Sequence, residues 1–440
     1  MLFKDANLAG WGRVLQSPAR IARPERRAVL EALMKETPAP ALGAARSYGD
    51  AALNADGIVI DMTRLDRILD FNAESGRVTA EAGVRLGDLL RLFGPQGWMP
   101  AAMPGTAHVT LGGAIANDVH GKNHHAHGSF GQHVESISLL GADGQLREAS
   151  EIENPALFKA TIGGLGQTGV IVSAELRLIR CVGGRVELRK QRLPDLDAFF
   201  EAFDDSKAEF SVGWIDATAR GTALGRGVME EGHLVSGGFA PTRNARTVPF
   251  NMPGLTLSRP VVKLFNAYYF RRASANGRTR TRPLQEMFFP LDSLAQWNRL
   301  YGKRGFHQFQ CVLPSSICEV VLPRILEEIA NSGLASPLSV LKKLGPGRAG
   351  LMSFPMAGMT LAADFRAKAK ALPLLNKLNR MVAEAGGRVY LAKDSTLDAG
   401  LLRAMYPEID KFRAALAEMD PERRFETDLA RRLNLRGAPV

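Results

Sequence analysis

The chain has 440 residues, 45% hydrophobic and 23% charged, with 44 glycines, which exceeds a usual single domain and excludes disorder as its main character. Its three cysteines, Cys181, Cys311 and Cys318, are too few and too irregularly spaced for a disulfide framework or a thiolate metal site, and they point to a reducing compartment. A formal net charge of +11 suits an anionic membrane surface, nucleic acid or simply an arginine-rich composition, but no basic groove interleaved with aromatics and no reading module supports nucleic acid.

The start, MLFKDANLAGWGRVL, lacks the apolar run and cleavage site of a signal peptide, and no run reaches the ~20 apolar residues of a membrane span. A soluble or peripheral protein, cytoplasmic or at the inner membrane, is expected. Short β-rich runs with glycine punctuation follow: GIVIDM at Gly57, GRVTAEAGVRL at Gly76, ISLLGADGQL at Ile137 and GVIVSAELRLI at Gly169. Gly164, Gly166 and Gly169 match a dinucleotide fingerprint, but ENPALFKAT before them reads as helix and VIVSAELRLI after them as strand. That context is the reverse of a Rossmann turn.

Gly237 to Pro260 and Arg271 to Arg282 lack sustained periodicity and read as mobile loops. From Gly305 the order is strand, helix, two strands, helix, strand, a split βαβ arrangement whose helices run into Gly333 and Gly386. The tail from Asp398 reads as helical. The fold class is α+β, in two domains.

The chemistry concentrates in PGTAHVTLGGAIANDVHGKNHHAHGSFG, Pro104 to Gly131, where six glycines leave bare backbone for a diphosphate. Thr110 caps a short helix through Ala116, and its free N–H groups would meet an anion. His120, His124, His125, His127 and His133 crowd the same region, yet their spacing fits no common zinc pattern, so no metal is expected. A second loop, ALGAARSYGD from Ala41 to Asp50, combines small residues with Arg46 and Ser47.

These blocks, with WGR at Trp11, VIDMT at Val59, YLAKDS, AMYP and DLARRL, resemble the decaprenylphosphoryl-β-D-ribose 2-oxidase family of the vanillyl-alcohol oxidase flavoprotein superfamily. The resemblance runs nearly end to end. It implies a PCMH-type FAD-binding domain from residues 1–184 plus 388–440, and a substrate domain, 185–387, capping the flavin with an antiparallel sheet and split βαβ units. FAD contacts are implied at Ala41, Leu42, Gly43, Ala44, Ala45, Arg46, Ser47, Tyr48, Gly49, Asp50, Ala51, Gly105, Thr110, Leu111, Gly112, Gly113, Asn117, Asp118, Val119, His120, Val170 and Tyr390. Many relatives tether FAD through a histidine where this chain has Arg46, and a guanidinium cannot be that nucleophile, so noncovalent FAD is implied.

The resemblance also implies oxidation of the 2-hydroxyl of a polyprenylphosphoryl-β-D-ribose by hydride transfer to flavin N5, the first half of an epimerisation completed by a reductase, with a quinone as a candidate electron acceptor. Lys393 and His120 are the implied catalytic residues; Lys122, Lys342, Gln308 and Gln310 would position sugar or phosphate. Phe288 and Phe289 stand where family members carry polar residues, and Ala362 where some carry a cysteine. A polyprenyl substrate would be met at the bilayer, where Arg271, Arg272, Arg278, Arg280 and Arg282 would favour anionic headgroups. The alternatives are a soluble aldonolactone or alditol oxidase, and a non-catalytic flavin-fold binding protein.

Overall fold

Glycine turns between short apolar runs fold the N-terminal part into two sheets. The computed structural model describes residues 3–240 and 245–437. Strands Lys4–Ala9, Gln16–Ala22, Ile58–Asp61 and Ala41–Leu42 lie side by side in that order, the first pair antiparallel and the others parallel. A second, antiparallel sheet runs Ile68–Asn72, Arg77–Glu81, Val170–Arg177, Val134–Leu140, Leu146–Ser150. Its central strand, Val170–Arg177, exposes only its last residue fully, as a strand covered on both faces should. The helix Pro155–Thr161 precedes the GGLGQTG glycines and this strand follows them, so the order is the reversed one the sequence suggests.

The middle of the chain forms an eight-stranded sheet: Arg278–Pro283, Arg185–Leu193, Gly227–Val235, Phe210–Ile215, Ala335–Leu344, Gly358–Arg366, Phe306–Pro314 and Arg388–Val389, the last strand coming from the segment 388–440 expected to return to the FAD-binding domain. Helices Cys318–Ser332 and Ala371–Glu384 complete the split βαβ order. They bury Leu322, Ile325 and Ile329, and Leu375, Leu378 and Val382, one apolar stripe each. Each such side chain contributes roughly 1.5–3 kcal/mol. The first helix closes at Gly333 (φ +68°), a left-handed turn that a side chain would strain.

Of the two expected loops, Arg271–Arg282 needs correction, while Gly237–Pro260 is irregular along most of its described length. Arg278–Pro283 is an edge strand, paired with Arg185–Leu193 from Arg278↔Lys190 to Pro283↔Arg185. Its alternation of arginine and threonine hides the period from a hydrophobic reading. Residues 259–272 form a helix, and Gly254–Leu257 a 3₁₀ turn. Residues 241–244 of the first expected loop lie outside the described residues.

The tail helices Ala399–Met405, Ile409–Met419 and Asp428–Arg432 bury Leu402, Phe412, Leu416 and Leu429 in the core shared with the two split-unit helices. Burial therefore ties the end of the chain to both parts.

Candidate active site

Between the two N-terminal sheets and the eight-stranded sheet lies a cavity of about 730 Å³. Small residues make one wall: Gly43, Ala44, Ala45, Ala51, Gly105, Gly112, Gly113, Ala116 and Gly166. A Cβ on Gly105 or Gly166 would meet no atom within 4 Å, so bare backbone there faces open space. Ala45 holds the left-handed φ of +51°, which bends its loop sharply. Among the described residues, the backbone N–H groups from Gly43 to Ser47 find no protein acceptor. Such successive free donors form an anion-binding nest.

The helix Leu111–Ala116 plays a different part from the one its sequence suggests. Thr110 does cap it, its hydroxyl accepting from Gly113 N at 3.3 Å. The N–H groups of Leu111 and Gly112, however, donate to Val84 and Ala82 carbonyls at 2.7 and 2.8 Å. Its first amides are thus spent on the protein, and the free donors lie in the Gly43–Ser47 loop.

The rest of the lining carries charge. Lys122, Lys342 and Lys393 all face the cavity. Burial lowers Lys393 to about 7, against the pull of Asp364 and with a push from Lys342. Burial and Lys122 lower Lys342 to about 7, while burial, opposed by Glu230, lowers Lys122 to about 8. Lys393 Nζ sits 3.6 Å from the centroid of Tyr48, a cation–π seat. Asp364, pushed up to about 7 by burial, accepts from Gln308 Nε2 at 2.6 Å and Tyr301 OH at 3.1 Å.

His120 completes this group. Burial, then Lys342, His124 and Lys393, hold its imidazole well below the usual range, so it is neutral at neutral pH. Gln310 Nε2 lies 3.1 Å from its Nε2; with the amide donating, the ring proton sits on Nδ1, which has no protein partner. Arg46 Nε and Asn117 Oδ1 are likewise buried without one. Bare backbone, free amides and orphaned polar atoms along one cavity fit a long cofactor with anionic and hydrogen-bonding groups, as FAD is.

Of the other crowded histidines, His124 Nδ1 accepts from Gly345 N, His125 Nε2 meets the Ala208 carbonyl and His133 Nε2 that of His127. They hold loops together. No group of three His, Cys, Asp or Glu among the described residues could hold a metal.

Ala41, Leu42, Arg46, Ser47, Tyr48, Asn117, Val119, Gln308, Gln310, Thr110 and Tyr390 also line the cavity. Gly49, Asp50, Leu111, Asp118 and Val170 do not. Leu111 and Val170 are core residues, and buried Asp118 accepts from Gly131 N at 2.8 Å. Gly49 lets two loops touch, since a Cβ there would lie 1.8 Å from the Asp394 carbonyl oxygen. Asp50 is half of a clamp: Arg432 donates to both its oxygens at 2.8 Å and to Asp394 Oδ2 at 2.9 Å. Phe288 and Phe289 pack into the core, away from the cavity, so of the suspected losses of polarity only Ala362 faces it.

Sequence reasoning missed Trp11, whose ring lies 4.3 Å from the Arg46 guanidinium, the Asp364–Tyr301 pair, and cavity-lining Trp214, Tyr269 and Trp297. The WGR block was the only signal for any of them.

Residues 18–150 match the FAD binding domain family and residues 359–433 the D-arabinono-1,4-lactone oxidase family. The chain is 36% identical to the decaprenylphosphoryl-beta-D-ribose oxidase of Mycolicibacterium smegmatis, covering 97% of each chain. It is 35% identical to the uncharacterized protein in the mprA 5' region of Streptomyces coelicolor, over 80% of this chain and 100% of that one. With the L-gulonolactone oxidase of Mus musculus it shares 33% identity over 31% of each chain.

Proposed function

Because the chain belongs to the decaprenylphosphoryl-β-D-ribose oxidase family and is an FAD-domain oxidoreductase, we propose that it oxidises the 2-hydroxyl of a polyprenylphosphoryl-β-D-ribose to the 2-keto sugar. When bound, FAD supplies a hydride acceptor, N5, for the carbinol carbon. The Gly43–Ser47 loop, Gly105, Asn117 and Tyr390 would hold it, noncovalently because Arg46 offers no nucleophile.

The observation that carries this reading is Lys393 at about 7 beside neutral His120 in the same cavity. A lysine so shifted is uncharged in good part at neutral pH and can take the hydroxyl proton at Nζ. Gln310 fixes the His120 ring, leaving its Nδ1–H to orient a sugar oxygen. Lys122 and Lys342 would position the sugar or its phosphate. The 2-keto product is the first half of an epimerisation to the arabinose form, completed by a separate reductase, and a quinone suits the role of electron acceptor.

The test is anaerobic mixing of the yellow protein with polyprenylphosphoryl ribose. The flavin absorbance should bleach; an unchanged spectrum refutes the substrate. Acid precipitation should leave all colour in the supernatant, and a yellow pellet refutes noncovalent attachment. The match of residues 359–433 to a lactone oxidase family favours one rival, an aldonolactone oxidase, which predicts rapid turnover of free aldonolactones in air.

A further inference from the structure

The helix Arg259–Arg272 is amphipathic the wrong way round. Val262 and Asn266 are its buried residues, and Tyr269 lines the cavity. Val261, Leu264, Phe265 and Tyr268, spaced i, i+3, i+4 and i+7, form a continuous apolar stripe that faces outward. Leu264 is 73% exposed, and Leu255 in the preceding 3₁₀ turn is 76% exposed. Surface apolar residues are normally scattered, so a stripe of this kind marks a contact site.

Its charge names the partner. Between Glu231 and Glu286 the chain carries nine lysines and arginines and no carboxylate. Arg259, Lys263, Arg271 and Arg272 lie on the helix, all exposed, and none makes an ion pair with a described carboxylate. Exposed Arg278 and Arg280 extend the patch along the edge strand. A second copy meeting this face about a twofold axis would set cation against cation. An anionic bilayer offers both partners at once, acyl chains for the stripe and headgroups for the arginines.

The stripe also adjoins the cavity. Phe265 stacks on Tyr269 with centroids 6.2 Å apart, and Tyr269 itself lines the cavity. We propose that the outward face of the Arg259–Arg272 helix, with the Gly254–Leu257 turn, docks on an anionic bilayer and brings the cavity to the membrane surface. Its biological sense rests on the polyprenyl substrate read above, but the surface itself rests on exposure and charge.

The test is cosedimentation of the purified full-length flavoprotein with vesicles of mixed phosphatidylglycerol and phosphatidylcholine, against phosphatidylcholine alone. The wild type should bind the mixed vesicles about tenfold or more tightly, and added salt should weaken that binding. The Val261→Ser/Leu264→Ser variant and the Arg271→Gln/Arg272→Gln variant should each lose about tenfold or more. Both should keep wild-type flavin content, melting temperature and turnover of a water-soluble short-chain phosphoryl ribose. Vesicle binding absent in the wild type, or unchanged in both variants, overturns the proposal. So does a solution dimer that Leu264→Ser dissociates, because the face is then a protein interface. Bleaching by the soluble substrate without vesicle binding defeats the surface alone, whereas surface-dependent vesicle binding without bleaching defeats the substrate alone.

Discussion

Two parts of the cavity lining are built by opposite means. In one, side chains are withheld: glycine and alanine bring backbone amides to the surface, and the donors are fixed dipoles that never titrate. Elsewhere in the lining, charge is added where it is costly: His120 and Lys122 from the N-terminal part, Lys342 from the eight-stranded sheet and Lys393 from the C-terminal segment are all buried, and each is pushed toward its neutral form. The first part can hold a constant anion at any ordinary pH. The second can exchange a proton near neutrality, which is what oxidation of a hydroxyl requires and cofactor binding does not.

The largest test of this division is Lys393→Met, which should lower turnover by about 10²–10⁴-fold while leaving the flavin-to-protein ratio intact. Loss of FAD together with turnover would assign the lysine to the cofactor wall. Next is Arg432→Met, which strands Asp50 and Asp394, both nearly inaccessible. It should cost about 3–5 kcal/mol and release flavin, read by denaturant titration and absorbance. Gly49→Ala, pressing on the Asp394 carbonyl, should cost about 1–3 kcal/mol; a melting temperature equal to wild type would show that the loops can part. The gentlest effect is spread over several pH units. Lys342 and Lys393 titrate near 7 in the fold and near 10.5 when unfolded. The unfolded chain therefore binds more protons between those values, and the stability of flavin-free protein should rise as pH increases from about 7 to about 10. Stability that falls over this range would mean that the lysines stay charged.

Local rules made much of this legible. The Thr110 cap, the glycine stops and the split βαβ order all depend on neighbours in sequence. Arg278–Pro283 was hidden because an edge strand needs only backbone partners, and its arginines and threonines carry no apolar alternation. The Gly43–Ser47 loop was among the implied FAD contacts, but that the Leu111–Ala116 helix would lack free donors was hidden, because its first amides are taken by the carbonyls of Val84 and Ala82, far away in sequence. Arg432 lies 382 residues from Asp50, and no local pattern announces such a pair. The family resemblance supplied Lys393 and His120; composition and spacing alone leave that lysine a surface charge.

Arg432 also has a bearing on the order of synthesis. The loops it joins, one near residue 50 and one near 394, leave the ribosome far apart in time, and the clamp between them cannot form until the tail has emerged. The N-terminal sheets can form early, as domains do during translation, but the cavity closes only at the end. Flavin loading is therefore a late event, and a chain stopped short of Arg432 would fold in large part and stay colourless.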